Sequence, residues 1–125
     1  MSEPIKVLAV DDDLINLKLI TGMLRKDDSI GDVLEASNGA DAITVLKDNP
    51  DVKIVLLDII MPIMGGIETL QVIRADAQFQ HLPIIVLTTD ETKRGDSMEF
   101  GANEFVTKPV KRAELIEKIQ RLVSL

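Results

Sequence analysis

Apolar residues fall along the chain in two alternating textures. Short unbroken runs occupy Ile5–Val10, Ile54–Leu57 and Ile84–Leu87, with a weaker one at Glu104–Thr107 and a short half-polar one at Asp32–Ala36. Runs that never alternate with polar residues predict strands covered on both faces, hence a parallel sheet, and the half-polar run predicts an edge strand. Between the runs, apolar positions recur at helical spacing. Leu14–Lys26 sets Leu17, Ile20, Met23 and Leu24 on one stripe, and Arg112–Leu125 repeats at Leu115, Ile116, Ile119, Leu122 and Val123. Ala40–Asp48 and Ile67–Arg74 are shorter versions. Strand then helix, five times over, predicts a doubly wound α/β domain with helices on both faces of an open sheet. No repeat, low-complexity run or linker divides it, so one domain over 1–125 is expected.

One predicted helix is poor. Thr92–Phe100 holds two bulky apolar residues, Met98 and Phe100, and carries Gly95 inside. Glycine in a helix interior costs about 1 kcal/mol relative to alanine, so this segment belongs at the least stable end of the domain and is a candidate for movement.

Composition narrows the chemistry. Apolar residues make up 46%, enough for a packed core, yet the aromatics are three Phe with no Tyr or Trp. The core must be aliphatic, and a flavin-stacking electron carrier has little to work with. There is no cysteine, which excludes disulfides and thiolate metal sites. Fourteen basic residues against 21 acidic ones give a net charge of −7, which argues against a nucleic-acid module. No run is long enough to span a membrane, and MSEPIKVLAV lacks a basic leader, so a cytoplasmic protein without a membrane partner is expected, starting naturally at Met1.

Ligands of open parallel sheets bind outside the carboxyl ends of the strands, where strand order reverses. After the first strand come Asp11, Asp12 and Asp13; after the third, Asp58; after the fourth, Thr88 and Thr89; after the fifth, Lys108. Taken singly, most have plain explanations. Asp13 suits the cap of the helix starting at Leu14, Thr88 suits a turn-forming hydroxyl, and Lys108 suits a solvated surface. Asp58, alone in VLLDIIMP, does not: an ionised carboxylate among so many apolar groups needs compensation. If the first and third strands lie side by side, Asp11, Asp12 and Asp58 share one crevice. Like charges about 4 Å apart repel by about 4 kcal/mol at the effective dielectric of a protein surface. Such a cluster calls for a hard, oxygen-seeking cation such as Mg²⁺. With Lys108 and Thr88 beside it, the arrangement suits phosphoryl transfer, with Asp58 as the nucleophile that forms an acyl phosphate. No nucleotide-binding loop motif is present, so the donor must come from elsewhere.

The pattern VDDD at 10–13, LLDIIMPIMGG at 56–66, VLTTD at 86–90 and FVTKPV at 105–110 resembles the receiver domain of two-component response regulators, in order and spacing, over essentially the whole chain. The resemblance implies a flavodoxin-like (βα)5 fold with strand order 2-1-3-4-5. It implies that Asp58 takes a phosphoryl group from a sensor histidine kinase or a histidine phosphotransfer protein. Asp12 and Asp58 would ligate Mg²⁺ directly, with the backbone carbonyl of Ile60, and Asp11 largely through water. Lys108 would pair with phosphoryl oxygens, and the Lys108–Pro109 bond would be cis. Thr88 would swing toward the phosphoryl group and Phe105 would follow inward, reshaping the face of the fourth helix, fifth strand and fifth helix for an output partner, for phosphate relay or for a phosphorylation-dependent dimer.

This chain departs from the family pattern at Thr89, where a very small residue is usual, and at Ile60, which replaces a polar residue. Gly65 replaces an aspartate, and Phe105 replaces the commoner tyrosine. Ile60 and Thr89 lead us to expect slower hydrolysis of the acyl phosphate than in chemotaxis-type regulators. The rival reading is a small Mg²⁺-dependent phosphohydrolase working through an aspartyl phosphate; such enzymes need a second aspartate where Ile60 stands. His81 reads as a surface residue and Met61 and Met64 as loop packing. Ser29, Ser37 and Ser97 have no paired base, and Lys111 and Arg112 form no basic patch.

Overall fold

The computed structural model describes residues 3–124, so the expectations placed on Met1 and Leu125 lie outside the described residues. Strands β1 (Ile5–Val10), β2 (Ile30–Ala36), β3 (Ile54–Leu57), β4 (Ile84–Thr88) and β5 (Glu104–Thr107) form one parallel sheet in the order β2-β1-β3-β4-β5. Helices α1 (Leu14–Arg25), α2 (Gly39–Asp48), α3 (Gly66–Ala75), α4 (Arg94–Glu99) and α5 (Arg112–Val123) connect and follow them, with 3₁₀ turns at Ala77–Phe79 and Glu91–Lys93.

The period of two along each strand divides the core into two layers. Val7, Ala9, Leu56, Ile85, Leu87 and Val106 face Leu17, Ile20 and Leu24 of α1 and Leu115, Ile116 and Ile119 of α5. Leu8, Val10, Val55, Leu57, Val86 and Phe105 face Ala42 and Leu46 of α2 and Leu70 and Ile73 of α3. Each fully buried leucine or isoleucine contributes about 1.5–3 kcal/mol, so the aliphatic core suffices without large aromatics. Among the described residues no helix is long and apolar enough to cross a membrane.

Helix starts follow local chemistry. Asp13 caps α1, its carboxylate accepting from the Ile15 N–H at 3.0 Å, and Asn38 caps α2 by accepting from the Asp41 N–H at 2.9 Å. Gly65 precedes α3 with no side-chain cap. β2 begins two residues before the predicted Asp32, because buried Ile30 pairs with Ile5 ahead of a register shift. The predicted helix over 92–100 is shorter than its pattern: a 3₁₀ turn leads into six helical residues, and the side chain it buries is Ser97, bonded to the Lys93 carbonyl at 2.7 Å. Met98 and Phe100, the bulky residues that would have anchored it, are exposed instead.

Arg74, in the last turn of α3, organises the end of the sheet opposite the strand C-termini. Its Nη1 donates to the carbonyls of Phe79 (3.0 Å) and Leu82 (2.7 Å), and its Nε and Nη2 both donate to the Gly101 carbonyl, at 3.0 and 2.8 Å. Nη2 also reaches Asn103 Oδ1 at 2.9 Å, which in turn accepts from the Ile84 N–H. Gly101 has φ +110°, and a Cβ there would stand 2.9 Å from Arg74 Cγ, so the turn after α4 requires glycine for both reasons. We predict that Arg74→Ala, which strands several half-buried carbonyls, destabilises the domain by about 2–4 kcal/mol in urea unfolding. A loss comparable to a surface substitution, below about 0.5 kcal/mol, would contradict this role.

Candidate functional site

The sheet ladder runs past the strand ends and sets the site's spacing. Val10 pairs with Leu57, so Asp11 and Asp58 follow side by side on β1 and β3. Their backbones stay in the ladder: Asp11 N–H donates to Ala36 O at 3.1 Å and Asp58 N–H to Val10 O at 3.0 Å. Lys108 N–H likewise donates to Thr88 O at 2.8 Å. Because β1 lies between β2 and β3, chain order reverses there, and the crevice opens at this switch point.

Asp11, Asp12 and Asp58 each offer a carboxylate oxygen, all within 4.8 Å of one another. Lys108 Nζ lies 2.7 Å from Asp11 Oδ2 and 3.8 Å from Asp58 Oδ2. Asp11 is buried, and its Oδ1 accepts from the Asp13 N–H at 2.9 Å. Asp58 is 9% exposed, and its Oδ1 accepts from the Ile59 N–H at 2.8 Å. Burial pushes the Asp58 carboxyl up to about 6; the Lys108 ammonium opposes that rise and the Asp11 carboxylate adds to it. One lysine among three carboxylates leaves negative charge in excess. The donor set consists of hard oxygens with one edge, at Asp12, open to solvent, and it fits a magnesium-type cation.

Thr88 ends β4, the strand beside β3. Thr88 is buried, and its hydroxyl accepts from the Asp90 N–H at 3.3 Å, so it serves as the turn-former that its position suggested. Thr89 and the Ile60 side chain are exposed. The Lys108–Pro109 peptide is cis. Phe105 lies inward, 4% exposed, on the same sheet face as Val86. Met61 packs against the core, Met64 is half-buried and His81 is exposed, as expected of loop and surface residues.

Two features of the loop after β3 were not visible in the sequence. Gly66 lies so close to the Asp58 backbone that a Cβ would sit 2.3 Å from Asp58 O and 2.7 Å from Ile59 Cα. Its N–H donates to Ile59 O at 2.7 Å, fixing the start of α3 against the Asp58 turn. Ile63, 84% exposed, has φ +68°, a left-handed conformation that is a true outlier for a β-branched residue. The neighbouring glycines are where a reader would place such a φ, but Gly65 has φ −77° and Gly66 is helical.

Known proteins agree with this geometry. The family described as response regulator receiver domain matches residues 7–120. The chain is 34% identical over 119 residues to a chemotaxis protein CheY homolog of Campylobacter jejuni, covering 92% of this chain and 89% of that one. It is 33% identical to Protein PilH of Pseudomonas aeruginosa, covering 95% and 98% respectively. Among solved structures it is similar to the receiver domain of a sensor histidine kinase from Pseudomonas aeruginosa PAO1, described with a magnesium ion coordinated in the active site cleft. That match has a TM-score of 0.89 and 28% identity, and covers 98% of this chain and all of that one.

Two outcomes follow from the site itself. The unfolded chain releases the Asp58 proton near the ordinary 3.8, whereas the folded chain releases it near 6. Folding therefore binds an extra proton in that interval, and stability falls as pH rises through it. In magnesium-free buffer, Asp58→Asn should match the parent's stability near pH 4. It should exceed it by about 2–3 kcal/mol above pH 6, as read from urea midpoints; a gap independent of pH would contradict the burial. Separately, Ile63→Gly should stabilise the domain by about 0.5–1 kcal/mol by relieving the left-handed backbone, and a destabilised variant would contradict that strain.

Proposed function

Because the chain belongs to the response regulator receiver domain family of two-component signalling, we propose that it is a switch phosphorylated on Asp58. The phosphoryl group would come from a phosphohistidine of a sensor histidine kinase or of a histidine phosphotransfer protein. In that step the N–P bond of the donor breaks as an Asp58 carboxylate oxygen forms the new O–P bond, and the imidazole leaves. The observation that carries the reading is the position of Asp58: level with Asp11, within reach of Lys108, and at the switch point of the sheet.

Each residue then has a task. Asp11, Asp12 and Asp58, with the backbone carbonyl of Ile60, would hold Mg²⁺. When bound, this ion supplies positive charge for the oxygens of the transferring group. Lys108 orients Asp11 now and would turn its ammonium to the phosphoryl oxygens. Thr88 would exchange its turn bond for one to the phosphoryl group, which transmits the modification to the segment that follows β4. The chain would catalyse only its own modification. The apolar, exposed side chain of Ile60 offers no acid/base group two residues after the nucleophile, which weighs against a phosphohydrolase. We place the protein in the cytoplasm, as a monomer or a phosphorylation-dependent dimer acting on an output protein partner.

Acetyl phosphate with Mg²⁺ should add a single phosphoryl group per chain by intact mass, and none to Asp58→Asn or in EDTA. Lys108→Ala should slow labelling by roughly 10- to 100-fold. Decay of the adduct should take minutes or longer; a lifetime of seconds would refute the role given to Ile60 and Thr89. Equal labelling of Asp58→Asn, or continued consumption of the donor without an adduct, would refute the switch.

A further inference from the structure

Glu91 and Arg94 are spaced three apart, which places them on one face of the turn entering α4. Arg94 Nε donates to Glu91 Oε1 at 2.7 Å. The other Glu91 oxygen accepts from the Thr107 hydroxyl, on β5. With its fork held this way, the Arg94 guanidinium lies over the Phe105 ring, 4.6 Å from the centroid. That is a cation–π contact on a ring otherwise seated in the aliphatic core. The clasp thus joins the segment after β4 to β5 by three side-chain contacts, and among the described residues no side-chain hydrogen bond or ion pair links Glu91, Arg94 or Thr107 to Asp11, Asp58 or Lys108.

We propose that Glu91, Arg94 and Thr107 form a clasp that keeps Phe105 inward whether or not Asp58 is phosphorylated, so that the surface change in this chain is confined to Thr89 and Asp90, between Thr88 and the clasp. The proposal deepens the switch reading and rests on it for its second half only. The ring's cover comes from residues of its own neighbourhood, so phosphorylation is not needed to bring it in. A ligand or modification shifts only those equilibria to which it contributes differently in the two states. A ring already fixed by the clasp has no outward population to recruit.

The chain's three phenylalanines make the test direct. Protein labelled with 4-fluorophenylalanine gives one ¹⁹F signal each for Phe79, Phe100 and Phe105, assigned by single Phe→Leu variants. Phe79 is 5% exposed and Phe100 36% exposed, which brackets the scale for relaxation by a soluble neutral gadolinium chelate. In the unmodified parent, Phe105 should be as protected as Phe79, and beryllofluoride with Mg²⁺ should leave it so. Arg94→Ala, a surface change, should raise the relaxation of Phe105 toward that of Phe100, and Arg94→Lys should restore part of the protection. Two results would overturn the clasp: a Phe105 signal accessible in the parent and protected only after beryllofluoride, or one equally protected in Arg94→Ala. Failure of acetyl phosphate to label Asp58 would sink the switch reading instead, and would leave the comparison of unmodified proteins intact.

Discussion

Charge crowded into a dry corner is the constraint around which the rest of this molecule is arranged. Parallel pairing in the order β2-β1-β3 makes Asp11 and Asp58 adjacent, and the ladder bonds to Ala36 and Val10 prevent either from retreating. Lys108 arrives from β5 at the far edge of the same crevice, its backbone fastened to Thr88. One ammonium cannot neutralise the cluster, and burial keeps the proton on Asp58 to an unusually high pH. The fold has accepted a local instability there, of the kind that functional sites retain and that a bound cation removes.

The loop that presents Asp58 is shaped by the same demand for proximity. Gly66 lets the start of α3 press against the carbonyl of Asp58. Gly39 does the same for α2, since a Cβ there would overlap Thr69 Oγ1 and lie 2.8 Å from the Met64 carbonyl. With both helix starts fixed so closely, the four residues between Ile60 and Gly65 must turn in little space, and Ile63 takes the left-handed conformation that results.

Much of this was legible in the residues alone. Unbroken apolar runs located the strands, because a sheet buried on both faces has no polar side to show. The isolated aspartate in VLLDIIMP marked a member of the carboxylate cluster, because only a compensated charge tolerates such neighbours. Side chains whose partners are backbone carbonyls remained hidden: Arg74 looked like one more charged residue at a helix end, since nothing in Phe79, Leu82 or Gly101 advertises an acceptor. The poor apolar pattern of 92–100 was a fair guide, since Met98 and Phe100 are exposed, but that Ser97 would be the buried side chain was not visible in the residues.

Arg74 has a mechanical consequence for the stretch between β4 and β5. Its two bonds to the Gly101 carbonyl rivet the trailing end of α4 to α3, whereas the leading end is held only by side chains at the surface. Any displacement starting at Thr88 is then checked at both ends, so that Thr89 and Asp90 carry the travel while residue 101, where the chain turns toward β5, stays put like a hinge post.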